Sequence, residues 1–131
     1  MVIDSSAIIA VLLNEPTAAR IIGAIESAAV RLMSAATLLE AAIVIEHRKG
    51  DVGGRELDLF VYRSDIEIAS VDEDQVEIAR AAWRQFGKGR HPARLNYGDC
   101  FAYALAKSRR LPLLYVGTDF GLTDIEAVPL A

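Results

Sequence analysis

The sequence predicts an α/β protein of three layers, with a doubly wound, mostly parallel, five-stranded sheet between helices. Three observations predict it. Short unbroken apolar runs alternate with segments of helical periodicity. The runs show no polar alternation, as expected of strands covered on both faces. A single composition regime extends along all 131 residues, with no repeat and no low-complexity stretch, so one domain over 1–131 is expected.

MVID is the first strand, meeting Asp4 and two serines before IIAVLL takes up helical character. Asn14-Glu15-Pro16 interrupts that helix, and a second is expected from about Pro16 to Ala28, since proline suits a first turn. VRLM (30–33) is the second strand, and Ser34 is placed to cap a helix from about Ala35 to Arg48 that Gly50 ends. GDVGG (50–54) reads as the clearest turn in the chain, followed by a helix with Leu57, Phe60 and Val61 on one side. IEIASV is the third strand. Asp72 caps a helix in which Val76, Ile78, Ala79, Ala82, Trp83 and Phe86 recur at helical spacing before Gly87. GKGRHPARLNYG is a basic loop of a length that usually has a functional reason. A helix carrying Asp99 follows, then the strand LLYV, a tight TDFGLTD segment and a last strand around Ala127 to Leu130.

Composition narrows the function. The apolar runs are too short to span a bilayer, and Asp4 stands where a signal peptide needs Lys or Arg, so the expectation is a soluble, unexported, cytoplasmic protein without membrane contact. One cysteine, Cys100, and two distant histidines, His47 and His91, exclude an internal disulfide and argue against zinc. The net charge of −4 is unevenly spread. Residues 84–110 hold seven basic side chains against Asp99 alone, a stretch of +6, and the rest of the chain is −10. A basic flank is set against an acidic body.

In an open α/β sheet the ligand site lies beyond the carboxyl ends of the strands. Asp4 and Asp119 follow strands, while Glu40 and Asp99 approach the same edge from early helical turns. Each has a plain structural reading: Asp4 as a helix cap, Asp119 as a turn residue, Glu40 as a solvated position. Asn96 with Asp99 three residues on resembles a capping box. Capping does not account for the whole set, because Glu40 sits in the most apolar helix, where a lone carboxylate is costly. Four converging carboxylates need a cation between them, and an all-oxygen donor set suits Mg²⁺, or Mn²⁺ in its place. Such ions serve phosphodiester cleavage, and the basic flank suits a phosphate backbone.

VIDSSA, TLLEAAIV, LNYGDCFAYALAK and VGTDF with TDI, in that order over nearly the whole chain, resemble the PIN-domain ribonucleases, in particular the VapC-type toxins of type II toxin–antitoxin pairs. The resemblance implies a PIN-like α/β/α fold and an Mg²⁺-dependent endoribonuclease acting on cellular RNA, commonly transfer or ribosomal RNA. It makes Asp4, Glu40, Asp99 and Asp119 the four catalytic, metal-binding acids, with Asp4 and Asp99 the principal ligands. Ser6 and Asn96 match positions that support those acids. Thr118 is a departure, since related toxins often carry Asn or Glu before the fourth acid, and it bears on how Asp119 is oriented. The implied partners are a VapB-type antitoxin, whose tail lies across the site and which alone contacts promoter DNA, and a second copy, giving a homodimer and a heterotetramer or larger complex. IIAVLL and LDLFVY are candidate contact surfaces and equally ordinary core.

Arg90, His91 and Arg94 lie in the loop that delivers Asp99 and are the candidates for RNA backbone contact, against the plain reading of a solvated loop. Tyr97 and Tyr103 flank Asp99 and are candidates for base stacking, with Tyr103 also suited to the core. Cys100 and Trp83 read as core. A dehalogenase-type phosphatase needs an acid where Ser6 stands. A receiver-like Mg²⁺-binding signalling domain needs a Lys after a late strand, where Gly117-Thr118-Asp119 stands. A catalytically inactive PIN-like binding module is the remaining alternative.

Overall fold

A computed structural model of the chain describes residues 1–130. Four strands, β1 (Val2–Ile3), β2 (Leu32–Ser34), β3 (Glu67–Ala69) and β4 (Leu113–Leu114), form one sheet in the order β3-β2-β1-β4. Every pairing is parallel, with Val2 opposite Leu32 and Leu113, and Met33 opposite Ile68. Five helices cover it: α1 (Ser5–Leu12), α2 (Ala18–Ser27), α3 (Ala35–Arg63), α4 (Glu73–Phe86) and α5 (Tyr97–Arg109).

The alternation of strand side chains divides the core in two. Val2, Leu32 and Leu113 point into a cluster with Ala82, Phe86, Leu95, Tyr103 and Leu105, under α4 and α5. Their neighbours Ile3, Met33 and Leu114 enter a second cluster with Ile8, Ile21, Ile25, Ala41 and Leu57, under α1, α2 and α3. Burial on both faces is why β1 and β4 are wholly apolar, whereas β3 at the sheet edge exposes Glu67 and Ile68; the three layers expected from the sequence are those found.

The fifth strand is not. Ala127 makes a single parallel bridge to Leu113, supported by Leu113 N–H to Glu126 O (2.8 Å) and Val128 N–H to Leu113 O (3.0 Å). The reason lies in β4, which ends at Leu114 so that Val116 N–H can reach Ser6 Oγ. The last segment therefore has only Leu113 to pair with. The turn expected at 50–54 is also shorter than its composition suggests. Only Gly50 leaves helical geometry (φ 66°, ψ −156°), a left-handed conformation that glycine tolerates, and Val52 to Gly54 already belong to the second half of a kinked α3.

The expected caps are present. Ser34 Oγ accepts from Ala36 N–H (3.3 Å), Asp72 Oδ1 accepts from Gln75 N–H (2.8 Å), and Gly87 ends α4. α2 begins at Ala18, two residues after Pro16. No helix is long and apolar enough among the described residues to cross a membrane. The apolar stripe of α4 splits: Ala82 and Phe86 are core, while Val76 and Trp83 face outward, so Trp83 is not the core residue its type suggested. IIAVLL is mainly core or half-buried, whereas LDLFVY buries Leu57 and exposes Leu59 and Tyr62.

Candidate active site

Asp4 stands where β1 gives way to α1. Its extended backbone lets Asp4 N–H donate to Leu114 O (2.9 Å), fixing it at the carboxyl edge of the sheet. The side chain is 3% exposed. Oδ2 accepts from Ser6 N–H (3.1 Å) and Ser6 Oγ (2.7 Å), so the residue is the helix cap that the plain reading gave it. The cap uses one oxygen only. Oδ1 is buried and has no hydrogen-bond partner, an arrangement costly for a carboxylate unless something else satisfies it. Burial pushes the Asp4 carboxyl above its ordinary range, against the pull of the Ser6 hydrogen bonds, and the Glu40 charge pushes the same way.

Ser6 does two jobs, because its Oγ also accepts from Val116 N–H (2.9 Å), tying the end of β4 to the first acid. Its neighbour Ser5, buried at the first position of α1, donates to Glu40 Oε1 (2.8 Å). Glu40 comes from the second turn of α3 and is half-buried, not solvated. Its helix is less enclosed than its composition suggests, for Leu39 and Ile43 beside it are 62% and 61% exposed. The Glu40 carboxylate lies over Gly98: a Cβ built there would stand 2.1 Å from Oε2 and 2.7 Å from Cδ. Only a glycine lets the start of α5 approach Glu40 this closely.

Asp99 is in the first turn of α5, and the capping box is complete. Asn96 Oδ1 accepts from Asp99 N–H (2.9 Å), while Asp99 Oδ2 accepts from Asn96 N–H (3.1 Å). The Asp99 carboxyl is pushed up to about 6, chiefly by burial, against the Asn96 bond, with further upward pressure from the charges of Asp4, Asp119 and Glu40. Asp119 itself is exposed and precedes a 3-10 turn, Phe120–Leu122, whose Phe120 is buried in the core. Thr118 is exposed and makes no hydrogen bond among the described residues, so it does not orient Asp119 through its hydroxyl.

The fold thus brings Asp4, Glu40, Asp99 and Asp119 to one edge, from three helix starts and one loop. Among the described residues no three His, Cys, Asp or Glu side chains converge tightly enough to hold a metal ion as they stand, and repulsion between like charges is a sufficient reason. The donor chemistry nevertheless fits a hard divalent cation. All the donors are carboxylate oxygens, Asp4 Oδ1 is orphaned, and the ion pairs found, Lys49–Glu56, Arg80–Glu77 and Lys107–Asp124, leave all four acids out.

The candidate RNA contacts are less alike than their sequence suggested. Arg90 lies over the Trp83 ring, 4.3 Å from its centroid, and Arg94 is exposed at positive φ (56°). His91 is engaged in the loop's own fold: Nδ1 accepts from Ala93 N–H (3.0 Å), and the ring packs edge-on against Phe86. Tyr103 is core, and Tyr97 is exposed. Lys107 and Arg109 fall in the last turn of α5 and Arg110 caps its end, away from Asp99 in the first turn, so the basic stretch is two groups rather than one flank. Two residues of the site escaped sequence reasoning, Ser5 and Gly98. The repeated serine after Asp4 was the available signal for the first. The glycine before Asp99 was the signal for the second.

Residues 1–126 match the PIN domain family. A Ribonuclease VapC of Mycolicibacterium smegmatis is 56% identical over 128 residues, covering 98% of this chain and 99% of its own length. Ribonuclease VapC30 of Mycobacterium tuberculosis is 55% identical over 130 residues, covering 99% of each chain. Among solved structures, the fold is similar to that of VapC20 of Mycobacterium tuberculosis, a sarcin-ricin loop cleaving toxin, at a TM-score of 0.77, 17% identity and 97% coverage of both chains. It is also similar to VapBC-1 of nontypeable Haemophilus influenzae, at 0.75 and 17%, covering 97% of this chain and 95% of that one. With the family matched over nearly its whole length and relatives above half identity, the chain belongs to the PIN-domain family and, within it, to the VapC-type ribonuclease toxins.

Proposed function

We propose that the chain, acting as one domain, is an Mg²⁺-dependent endoribonuclease that hydrolyses phosphodiester bonds of cellular RNA at the edge formed by Asp4, Glu40, Asp99 and Asp119. Mn²⁺ is expected to substitute. The observation that carries this reading is Asp4 Oδ1, a buried carboxylate oxygen with no protein partner among three further acids and no cation of the chain's own. A divalent ion bound by these carboxylates supplies Lewis-acid polarisation of the scissile phosphate and a more acidic attacking water. The chain's part is to hold the donors. Ser6 fixes one oxygen of Asp4, Ser5 fixes one of Glu40, and Asn96 N–H fixes one of Asp99, in each case leaving the second oxygen for the site. Arg90 and Arg94, with His91 contributing its remaining nitrogen, receive the RNA backbone.

The partner is a VapB-type antitoxin. Relatives bear the VapC name, and a fold neighbour is a VapBC structure. Exposed Leu39, Ile43, Leu59 and Tyr62 along α3 supply apolar contact area for the antitoxin or for a second copy, in a homodimer and in a heterotetramer or larger complex. Promoter DNA is reached only through the antitoxin, in keeping with the net charge of −4. An RNA target places the work in the cytoplasm.

The deciding experiment maps RNA ends after induced expression of wild type and Asp4→Asn. Asparagine retains the cap to Ser6, so the fold is expected to persist while new RNA ends disappear. Ends that persist with Asp4→Asn, or cleavage in vitro that survives EDTA, would overturn the acidic metal site.

A further inference from the structure

Between α4 and α5, beside the acidic edge, lies an open cavity of about 470 Å³. Val76, Arg80 and Trp83 line it from α4, and Tyr97, Cys100 and Phe101 from α5. Trp83 is 43% exposed and Tyr97 81%, an outward placement for two large aromatic side chains. Tyr97 is nonetheless held, because Phe101 packs edge-to-face against it at 4.9 Å and 86°. The Arg90 guanidinium, 4.3 Å above the Trp83 ring, sets a cation at the mouth. Tyr97 precedes Asp99 by two residues and Cys100 follows it directly, so groove and acids share the first turn of α5.

We infer that this groove is a base-stacking subsite, receiving one unstacked nucleobase of a single-stranded RNA whose backbone runs past Asp99. The inference rests on the ribonuclease reading and adds to it what holds the substrate. Aromatic walls match a planar base, and such stacking serves any base because each has a π-face. The surrounding charge selects the occupant. Arg80, paired with Glu77, lines the groove, Arg90 lies over its Trp83, and Arg84, Lys88 and Arg94 come from the same helix end and loop, a cationic setting that suits a nucleotide better than an apolar peptide. The groove offers guanidinium donors and no buried polar side chain to read a base edge, so it favours single strands over particular sequences.

Trp83 is the only tryptophan, and its emission therefore reports on this groove alone. The Asp4→Asn protein is titrated in Mg²⁺ with a short single-stranded oligoribonucleotide of mixed sequence, and with an abasic ribose-phosphate strand of the same length. The expected result is quenching by the intact strand and unchanged emission with the abasic one. Tyr97→Ala is expected to weaken binding of the intact strand about tenfold, by loss of one stacking partner, with no effect on the abasic strand. Trp83→Phe, which keeps a stacking face, is expected to retain most of the affinity. Equal quenching by both strands, or unchanged affinity in Tyr97→Ala, overturns the subsite. So does emission that shifts with protein concentration in the absence of RNA, which assigns the groove to another copy of the chain. Wild-type RNA cleavage without base-dependent quenching sinks the subsite alone. Base-dependent quenching by a wild type that yields no RNA ends sinks the ribonuclease reading and leaves the subsite standing.

Discussion

Gly98 is small because Glu40 lies against it, and that contact separates stability from activity at a single position. The atoms a new Cβ would meet are the far end of a flexible side chain, which can swing aside. Gly98→Ala is therefore expected to leave the melting temperature unchanged or slightly raised, since alanine also favours the helix. The displaced carboxylate loses its hold on Ser5 Oγ, and cleavage should fall at least tenfold. A destabilised Gly98→Ala protein with normal cleavage would refute this account. Asp99 makes a pH prediction of definite sign. Its carboxyl is raised to about 6 in the fold, against about 4 when unfolded, so the folded state binds the proton more tightly. For the metal-free protein this group is neutral to stability below about 4, costs increasingly as pH rises from about 4 to 6, and costs a constant amount above that. Asp99→Asn removes the cost. The variant should gain on the order of 1 kcal/mol over wild type at pH 7.5 in EDTA, a figure already reduced for the side chain's partial exposure, and nothing at pH 4. Denaturant melts at the two pH values measure it. The four acids were legible in the sequence because each stands next to a strand end or in an early helical turn. Ser5 and Gly98 were not, since their roles depend on a glutamate that is distant in sequence and only the fold brings near.

Among the elements, α5 carries the most coupling. Asp99, Tyr103 and Lys107 recur every four residues and so share a face. Tyr103 Oη donates to Asp124 Oδ1 (2.5 Å) and Lys107 Nζ to Asp124 Oδ2 (2.7 Å), clamping the end of the segment that carries Asp119 onto the helix that carries Asp99. Tyr103 is buried and Lys107 partly exposed, so the tyrosine bond is the better protected of the two. Tyr103→Phe keeps the packing and loses one charge-assisted bond, worth about 1–2 kcal/mol. The expected effects are a melting point lower by a few degrees and faster amide exchange at Thr123 and Ile125. Exchange rates equal to wild type would show that Phe120 alone anchors the segment. The helical spacing of these residues was visible in the sequence, but their partner was not, because TDFGLTD reads only as a tight segment. The kink of α3 was misread for a related reason. Composition marked five residues as a turn, whereas a turn needs φ and ψ to depart from the helix, and only Gly50 does so.

At the scale of the molecule, what matters is where charge falls in relation to the acidic edge. The sequence shows a +6 stretch from 84 to 110, and in the fold that stretch divides. Arg84, Lys88, Arg90 and Arg94 belong to the end of α4 and the loop that leads into α5, whereas Arg109 and Arg110 lie at the far end of a helix roughly 20 Å long. A charge count along the chain cannot see this, since it treats the two ends of α5 as neighbours. The division is testable through salt. If about four cations on the loop side displace counterions from single-stranded RNA, log K for binding should fall with log salt at a slope of roughly −3. Arg90→Gln with Arg94→Gln should make that slope shallower by about 1.4, while Arg109→Gln with Arg110→Gln should leave it unchanged. Equal effects of the two double variants would mean that RNA contacts both ends of α5, and a slope near zero would mean that binding does not rest on the phosphate backbone. The first pattern is expected because only the loop-side cations lie beside the edge where Asp4, Glu40, Asp99 and Asp119 meet, and an acidic edge needs local positive charge to bring a polyanion close.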